Sequence, residues 1–178
     1  LTKELQAGQY ILYVGSLEPR KNISTLVKAF EQLRSADSTL KPKLVLIGGE
    51  SPLFADMRVK IQKFHDDVIF KGFVDDEELK DYYRGAAVVA YPSLYEGFGL
   101  PPLEAMASAV PVVTSNTSSL PEVVGDAALM VDPYDVDELA NTLARVLKDS
   151  DLREDLSRRG LERVKRFNWY RVARNILG

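Results

Sequence analysis

Six short runs of apolar residues, separated by segments with helical periodicity, limit the folds open to this chain. The runs cover residues 10–14, 43–47, 68–70, 88–91, 110–114 and 128–131. They are apolar throughout, so both faces of each strand should be buried. Strands of this kind that alternate with helices form a parallel sheet covered on both sides. We therefore predict an α/β fold, a doubly wound, Rossmann-like parallel sheet of about six strands with helices on both faces.

The segments between these runs carry apolar residues at helical spacing. They predict helices over 23–33, 52–64, 76–83, 136–147, 151–166 and 169–177, and one that begins at Pro101. A chain of 178 residues is long enough for one well-buried domain. We expect residues 1–178 to form that single domain.

Composition excludes several classes of protein. A net charge of -3 argues against a general nucleic-acid binder, which needs a basic surface. No apolar run approaches the roughly 20 residues that span a bilayer, and the absence of cysteine excludes disulfide and thiolate chemistry. We expect a cytoplasmic protein, with peripheral association at the inner membrane as the alternative. The first residue is Leu1 rather than Met, so the sequence can be a piece of a longer protein.

The stretch from Glu96 to Glu104 is the main functional clue. It follows an apolar run and contains Gly97 and Gly99, and the prolines at 101 and 102 suit the first turn of a helix. A helix start presents free backbone N–H groups and the positive end of the helix dipole, which favours a phosphate. The glycines can let a ligand approach the backbone, or can simply satisfy a tight turn.

Four loops should meet at one edge of the sheet, because the carboxyl ends of parallel strands lie together. They are residues 15–22, 48–49, 72–76 and 95–102. Arg20 and Lys21 alone would be most simply a solvated pair, but opposite a glycine-rich helix start they favour a diphosphate clamp. Glu96 and Glu104 can accept hydrogen bonds from the hydroxyls of a ribose or a sugar ring. Glu104 alone could merely complement the helix dipole.

Weaker signals have simpler explanations. Phe73 and Val74 could form a wall for a nucleobase or simply end a strand. The Asp-x-Asp pairs that begin at Asp135 and Asp149 resemble metal-binding spacings, but each lies at a helix start, where capping explains it. We therefore predict no metal site. The only histidine, His65, is best interpreted as a surface residue.

Several motifs resemble the C-terminal, nucleotide-binding domain of GT-B glycosyltransferases, and more narrowly the retaining family 4. They are Val-Gly-Ser-Leu-Glu-Pro-Arg-Lys-Asn at 14–22, Gly-Phe-Val at 72–74, Glu-Gly-Phe-Gly-Leu-Pro-Pro-Leu-Glu at 96–104 and Ala-Val-Pro-Val-Val at 109–113. The resemblance implies a metal-independent transferase of polysaccharide biosynthesis that needs no cofactor. Its donor would be a nucleoside diphosphate sugar, either GDP-mannose or a UDP- or ADP-sugar, with a weak preference for GDP-mannose. A glycan, lipid or small-molecule acceptor would bind an N-terminal domain that is absent here.

The resemblance also implies roles for individual residues. Lys21 and Arg20 would neutralise the leaving diphosphate, and Glu96 would hold the donor sugar. Glu104 would bind the ribose hydroxyls. The remaining nucleotide-binding positions would be Gly15, Ser16, Phe73, Val74, Leu79, Gly97, Phe98, Gly99 and Leu100.

The chain departs from the family pattern at Ser16, where many relatives carry arginine. Arg20 can supply the missing charge, but its geometry need not be equivalent. The alternatives are a GT-B-like sugar-nucleotide epimerase or phosphorylase, and a non-catalytic domain that binds nucleotide sugars. A glycoside hydrolase that uses the two glutamates is a weaker alternative, because the cationic loop suits phosphate better than a neutral glycoside.

Overall fold

The computed structural model describes residues 5–49 and 67–167. These residues contain a six-stranded sheet of β1 (Tyr10–Val14), β2 (Lys43–Ile47), β3 (Val68–Gly72), β4 (Val88–Tyr91), β5 (Val112–Ser115) and β6 (Leu129–Val131). Every neighbouring pair is parallel, in the order β3-β2-β1-β4-β5-β6. The predicted fold class is confirmed.

Helices connect the strands across both faces of the sheet. They are α1 (Ile23–Ala36), α2 (Asp76–Gly85), α3 (Leu100–Ala107), α4 (Leu120–Val124), α5 (Val136–Lys148) and α6 (Ser150–Val164). The sequence did not predict α4, because five residues are too few to show helical periodicity. The helices predicted at 52–64 and 169–177 lie outside the described residues, and so does His65. Among the described helices, none is long and apolar enough to cross a membrane.

Two hydrophobic cores lie on opposite faces of the sheet, as the wholly apolar strands predict. Ile11 and Tyr13 of β1 point into one core, beside Leu26 of α1 and Leu143 of α5. Tyr10, Leu12 and Val14 point into the other, with residues of α2 and α3. The four residues Tyr10 to Tyr13 are 0% exposed.

The order of the strands reverses between β1 and β4, which are neighbours in the centre of the sheet. At such a reversal the loops after the two strands leave in opposite directions and open a crevice at the carboxyl edge. Residues 15–22 follow β1, and residues 92–99 follow β4. The topology therefore places residues 15–22, the cationic loop, and residues 92–99, the glycine loop, on the two sides of this crevice.

Aspartates cap three of the helices, including the two helix starts at which the Asp-x-Asp pairs predicted caps. The carboxylates of Asp75, Asp135 and Asp149 accept hydrogen bonds from the amides of Glu78, Glu138 and Leu152, at 2.8, 2.8 and 2.9 Å. The capping interpretation of the two Asp-x-Asp pairs is confirmed. Within residues 5–49 and 67–167, no three side chains of the types that bind metals come together.

Candidate functional site

Glycines at the carboxyl ends of β1, β2 and β3 bring three loops together at this edge of the sheet. The amide of Gly15 donates to the carbonyl of Ile47 at 2.9 Å, and the amide of Gly48 donates to the carbonyl of Gly72 at 2.8 Å. A Cβ atom on Gly48 would lie 2.1 Å from the carbonyl oxygen of Gly15, so no other residue fits there. These contacts agree with the prediction that the loops converge.

The loop after β1 is attached to the loop after β4. A short 3₁₀ turn at Pro19–Lys21 leads into Asn22, which has a left-handed φ of 59°. The Asn22 side-chain amide donates to the carbonyls of Pro92 at 3.1 Å and Pro133 at 2.6 Å. Since the amide of Leu94 also donates to the carbonyl of Arg20 at 2.8 Å, the cationic loop has a fixed position. Sequence reasoning missed Asn22, although it directly follows the Arg-Lys pair.

Lys21 and Arg20 both point at Glu96. The Lys21 ammonium donates to Glu96 Oε1 at 2.5 Å and to the Tyr91 hydroxyl at 2.8 Å. Arg20 Nη1 donates to Glu96 Oε2 at 3.3 Å. Lys21 and Glu96 are 6% and 7% exposed, whereas Arg20 is exposed. The structure thus brings the three predicted catalytic residues into one cluster, and it adds Tyr91 at the end of β4.

The electrostatics of the cluster favour an ionised Glu96. Burial alone would raise the pKa of Glu96, but the hydrogen bond from Lys21 and the further polar contacts hold it below its ordinary value. Burial, followed by the nearby charge of Glu96, raises the pKa of Tyr91 well above its ordinary value. The cluster therefore contains a carboxylate, two cations and a neutral phenol.

Glu104 lies at the other end of the glycine loop, in α3, and is held by Tyr83 of α2. The Tyr83 hydroxyl donates to Glu104 Oε2 at 2.8 Å. Tyr83 is buried, and its pKa is raised by burial first and by the Glu104 carboxylate second. The carboxylate of Glu104 is exposed but oriented. Sequence reasoning missed Tyr83, and its place in the apolar face of α2 gave no signal of this contact.

The two glycines between these carboxylates differ in their surroundings. Gly99 has a φ of 104°, and a Cβ atom there would lie 2.8 Å from Leu120 Cδ2. A Cβ atom on Gly97 would meet no atom within 4 Å. The conformation of the loop therefore explains why residue 99 is a glycine, whereas Gly97 borders open space. Phe98 and Leu100 are 46% and 52% exposed, and they line an apolar groove of about 540 Å³ beside α3.

The remaining predicted positions lie around the same edge. Phe73 is 89% exposed and lies over Gly49. A Cβ atom added to Gly49 would lie 2.7 Å from the Phe73 ring. Val74 and Leu79 are half-buried against the core. The carbonyl of Ser16 accepts a hydrogen bond from the Tyr13 hydroxyl at 3.0 Å. Phe73 is thus available as the wall of a pocket.

Comparison with known proteins agrees with this architecture. Residues 3–163 match the sequence profile of the family described as glycosyl transferases group 1. The chain is 41% identical to O-antigen chain mannosyltransferase B of Escherichia coli, over 90% of this chain and 42% of the relative. It is 39% identical to MMP alpha-(1->4)-mannosyltransferase of Mycolicibacterium hassiacum, over 96% of this chain and 42% of the relative.

Among solved structures, a sucrose-phosphate synthase from Thermosynechococcus elongatus superposes with a TM-score of 0.82 at 34% identity. The match covers 97% of this chain and 45% of that protein. The chain thus spans less than half the length of these relatives. With the family profile matched over most of its length, the chain belongs to the glycosyl transferases group 1 family and has the Rossmann-like C-terminal fold of GT-B glycosyltransferases.

Proposed function

We propose that this chain is the donor-binding domain of a retaining glycosyltransferase and that it binds a nucleoside diphosphate sugar. The observation that carries the proposal is the contact of Lys21 and Arg20 with Glu96, at the start of a glycine loop that leads into α3 and Glu104. One edge of the sheet thus offers cations for a diphosphate and two carboxylates for hydroxyl groups.

Lys21 and Arg20 are suited to stabilise the leaving diphosphate. When the bond between the sugar and the diphosphate breaks, its electron pair leaves with the phosphate oxygen and negative charge grows there. Preorganised cations in a partly dehydrated site favour that change. Within the described residues, Lys21 uses two of its three N–H donors, which leaves one for a phosphate oxygen. Arg20 is exposed and can reach the ligand from the solvent side.

The two carboxylates would bind the two sugar rings of the donor. Each oxygen of Glu96 is engaged by one cation, but a carboxylate has about four lone-pair sites, so it can still accept hydrogen bonds from a sugar hydroxyl. Glu104 is exposed and oriented by Tyr83, which suits the vicinal hydroxyls of the ribose. Backbone N–H groups of residues 97–100 would face the sugar or the phosphates.

The base would lie beside the loop after β3. The exposed ring of Phe73 offers an apolar wall, and the main chain at Val74 can offer a donor and an acceptor. Leu79, in α2, and the loop of Gly15 and Ser16 would complete the pocket. These contacts involve backbone and apolar groups, so they constrain the identity of the base only weakly.

We further propose that the sugar is mannose and the donor GDP-mannose, because two similar relatives are named as mannosyltransferases. Since the chain spans only 42% of each, we propose that an N-terminal domain of the full-length protein holds the acceptor. The acceptor would be a glycan, a lipid or a small molecule. Transfer would then need both domains, and this chain alone would bind the donor without transferring the sugar efficiently.

Titration calorimetry of this chain with GDP, UDP, ADP and GDP-mannose tests the proposal. We expect one nucleoside diphosphate to bind, and Lys21→Ala and Glu104→Gln each to weaken it by about tenfold or more. Lys148→Ala is the matched control, because Lys148 pairs with Asp37 outside the crevice. Binding of no nucleotide by the wild type, or equal binding by all three variants, would contradict the proposal.

A further inference from the structure

A row of hydroxyl side chains after β5 holds the main chain of the glycine loop. Ser118 Oγ donates to the carbonyl of Glu96 at 2.6 Å, and the Glu96 amide donates back to Ser118 Oγ at 3.1 Å. One serine hydroxyl therefore satisfies both backbone groups of Glu96. This residue carries the carboxylate that contacts Lys21 and Arg20.

The residues on either side of Ser118 extend this contact. Ser119 Oγ lies 3.0 Å from the carbonyl oxygens of both Glu96 and Phe98. Because Ser118 already donates to Glu96, the single proton of Ser119 can serve Phe98. Thr117 Oγ1 donates to the carbonyl of Leu94 at 3.2 Å. We call Thr117, Ser118 and Ser119 the hydroxyl cluster.

The hydroxyl cluster differs from an ordinary polar turn. In a turn, serine and threonine hydroxyls bond to backbone groups two or three residues away. Here the bonds of Ser118 span 22 residues and join separate loops. Ser118 also has a φ of 58°, which costs energy for a residue with a Cβ atom and persists only where the surroundings impose it.

The hydroxyl cluster is itself anchored from behind. It leads directly into α4, whose Leu120 side chain packs beneath Gly99. Arg163 of α6 donates to the carbonyls of Val123 and Glu122 at the end of α4. The loop that carries Glu96 therefore rests on a support that is tied to the core.

We propose that Ser118 and Ser119 are positioning residues that hold the main chain at Glu96 and Phe98, so that the Glu96 carboxylate stays against Lys21 and Arg20. The effect of this positioning on ligand binding rests on the proposed donor-binding function. Neither serine needs to touch the donor. Each acts through the peptide groups of the glycine loop, and loss of either hydroxyl lets the carboxylate move away from the cations.

The test uses this chain and two measurements. Ser118→Gly removes the hydroxyl at a position whose φ suits glycine, so the fold is not strained. Ser119→Ala removes the second hydroxyl, Ser119→Thr keeps it, and Ser35→Ala is the control on the exposed side of α1. Amide exchange followed by NMR reports the order of the Glu96 backbone, and a ¹³C titration reports the pKa of its carboxyl group. Calorimetry with the nucleoside diphosphate that the wild type binds is the second measurement.

For Ser118→Gly and Ser119→Ala, we expect faster exchange at residues 96–98, a higher pKa for Glu96 and about tenfold weaker nucleotide binding. Ser119→Thr and Ser35→Ala should match the wild type. Unchanged exchange and an unchanged pKa in Ser118→Gly would overturn the inference. Faster exchange with unchanged nucleotide affinity would show that the serines have only a structural role, and it would also overturn the inference. If the wild type binds no nucleotide, the proposed function fails, and the exchange and pKa results still decide the positioning role.

Discussion

Lys21 Nζ lies 2.5 Å from Glu96 Oε1, and the two side chains are only 7% and 8% exposed. A buried ion pair of this kind loses much of its hydration, and removing one partner leaves an uncompensated charge. Arg20 approaches the same carboxylate from solvent, at 3.3 Å. Glu96 thus holds in place the two cations that we propose for a diphosphate. We expect this pairing to link the stability of the domain to ligand binding.

Glu96→Gln should destabilise the unliganded domain by about 3 kcal/mol, because Lys21 is then buried without a counter-ion. Without Glu96 to hold Lys21 and Arg20 in place, the nucleoside diphosphate should bind less tightly, so the ligand should stabilise the variant less than the wild type. Thermal unfolding with and without the nucleotide measures both effects. The control is Glu77→Gln, which removes an exposed pair with Lys80 and should change neither value. Equal ligand-induced shifts in wild type and Glu96→Gln would contradict the coupling.

The low pKa of Glu96 makes part of the stability dependent on pH. Its folded-state pKa lies below the ordinary value of 4.5, so the ionised form stabilises the native state. That contribution is fully present above about pH 4.5 and is lost as the pH falls through the folded-state pKa. We expect the free energy of unfolding of the wild type to approach that of Glu96→Gln as the pH falls through this window. Urea unfolding across a pH series checks it, and a constant difference between the two proteins would contradict it.

Tyr83→Phe should loosen Glu104 without breaking the core, because it removes only the hydroxyl that donates to the carboxylate. We expect a loss of about 1 kcal/mol in stability from the missing hydrogen bond. If Glu104 binds ribose hydroxyls, the variant should also prefer the ribonucleotide over its 2′-deoxy analogue less strongly than the wild type. Calorimetry with both nucleotides measures that preference. An unchanged ratio of the two affinities would separate Tyr83 from ribose binding.

The fold and the location of the site could be predicted because both follow from local patterns. Apolar runs indicate strands that are buried on both faces, and parallel strands bring the loops after them to one edge. That is sufficient to place Lys21 and Arg20 opposite Glu96. Aspartate caps are equally local, since the carboxylate bonds an amide three residues further along.

The partners of these residues could not be predicted, because they come from distant parts of the chain. Tyr83 contacts Glu104 across 21 residues, and Lys21 contacts Tyr91 across 70. Both tyrosines belong to apolar patterns, which conceal the role of the hydroxyl. From the sequence alone, the hydroxyl cluster looks like an ordinary polar loop, because only the structure shows which carbonyl groups it contacts. The helix that follows the hydroxyl cluster, α4, has only five residues, which are too few to show helical periodicity.

Alanine substitutions at Gly48 and Gly97 distinguish a glycine needed for packing at the sheet edge from a glycine that borders the proposed binding site. A Cβ atom on Gly48 would lie 2.1 Å from the Gly15 carbonyl oxygen, and its φ of 140° is unfavourable for any other residue. We expect Gly48→Ala to cost at least about 3 kcal/mol, since backbone atoms of two loops must move apart. Gly97→Ala meets no atom within 4 Å and should leave stability nearly unchanged. If a ligand approaches the glycine loop, however, Gly97→Ala should weaken nucleotide binding. Chemical unfolding and calorimetry on both variants check the pair, and a stable Gly48→Ala domain would contradict the close approach of these loops.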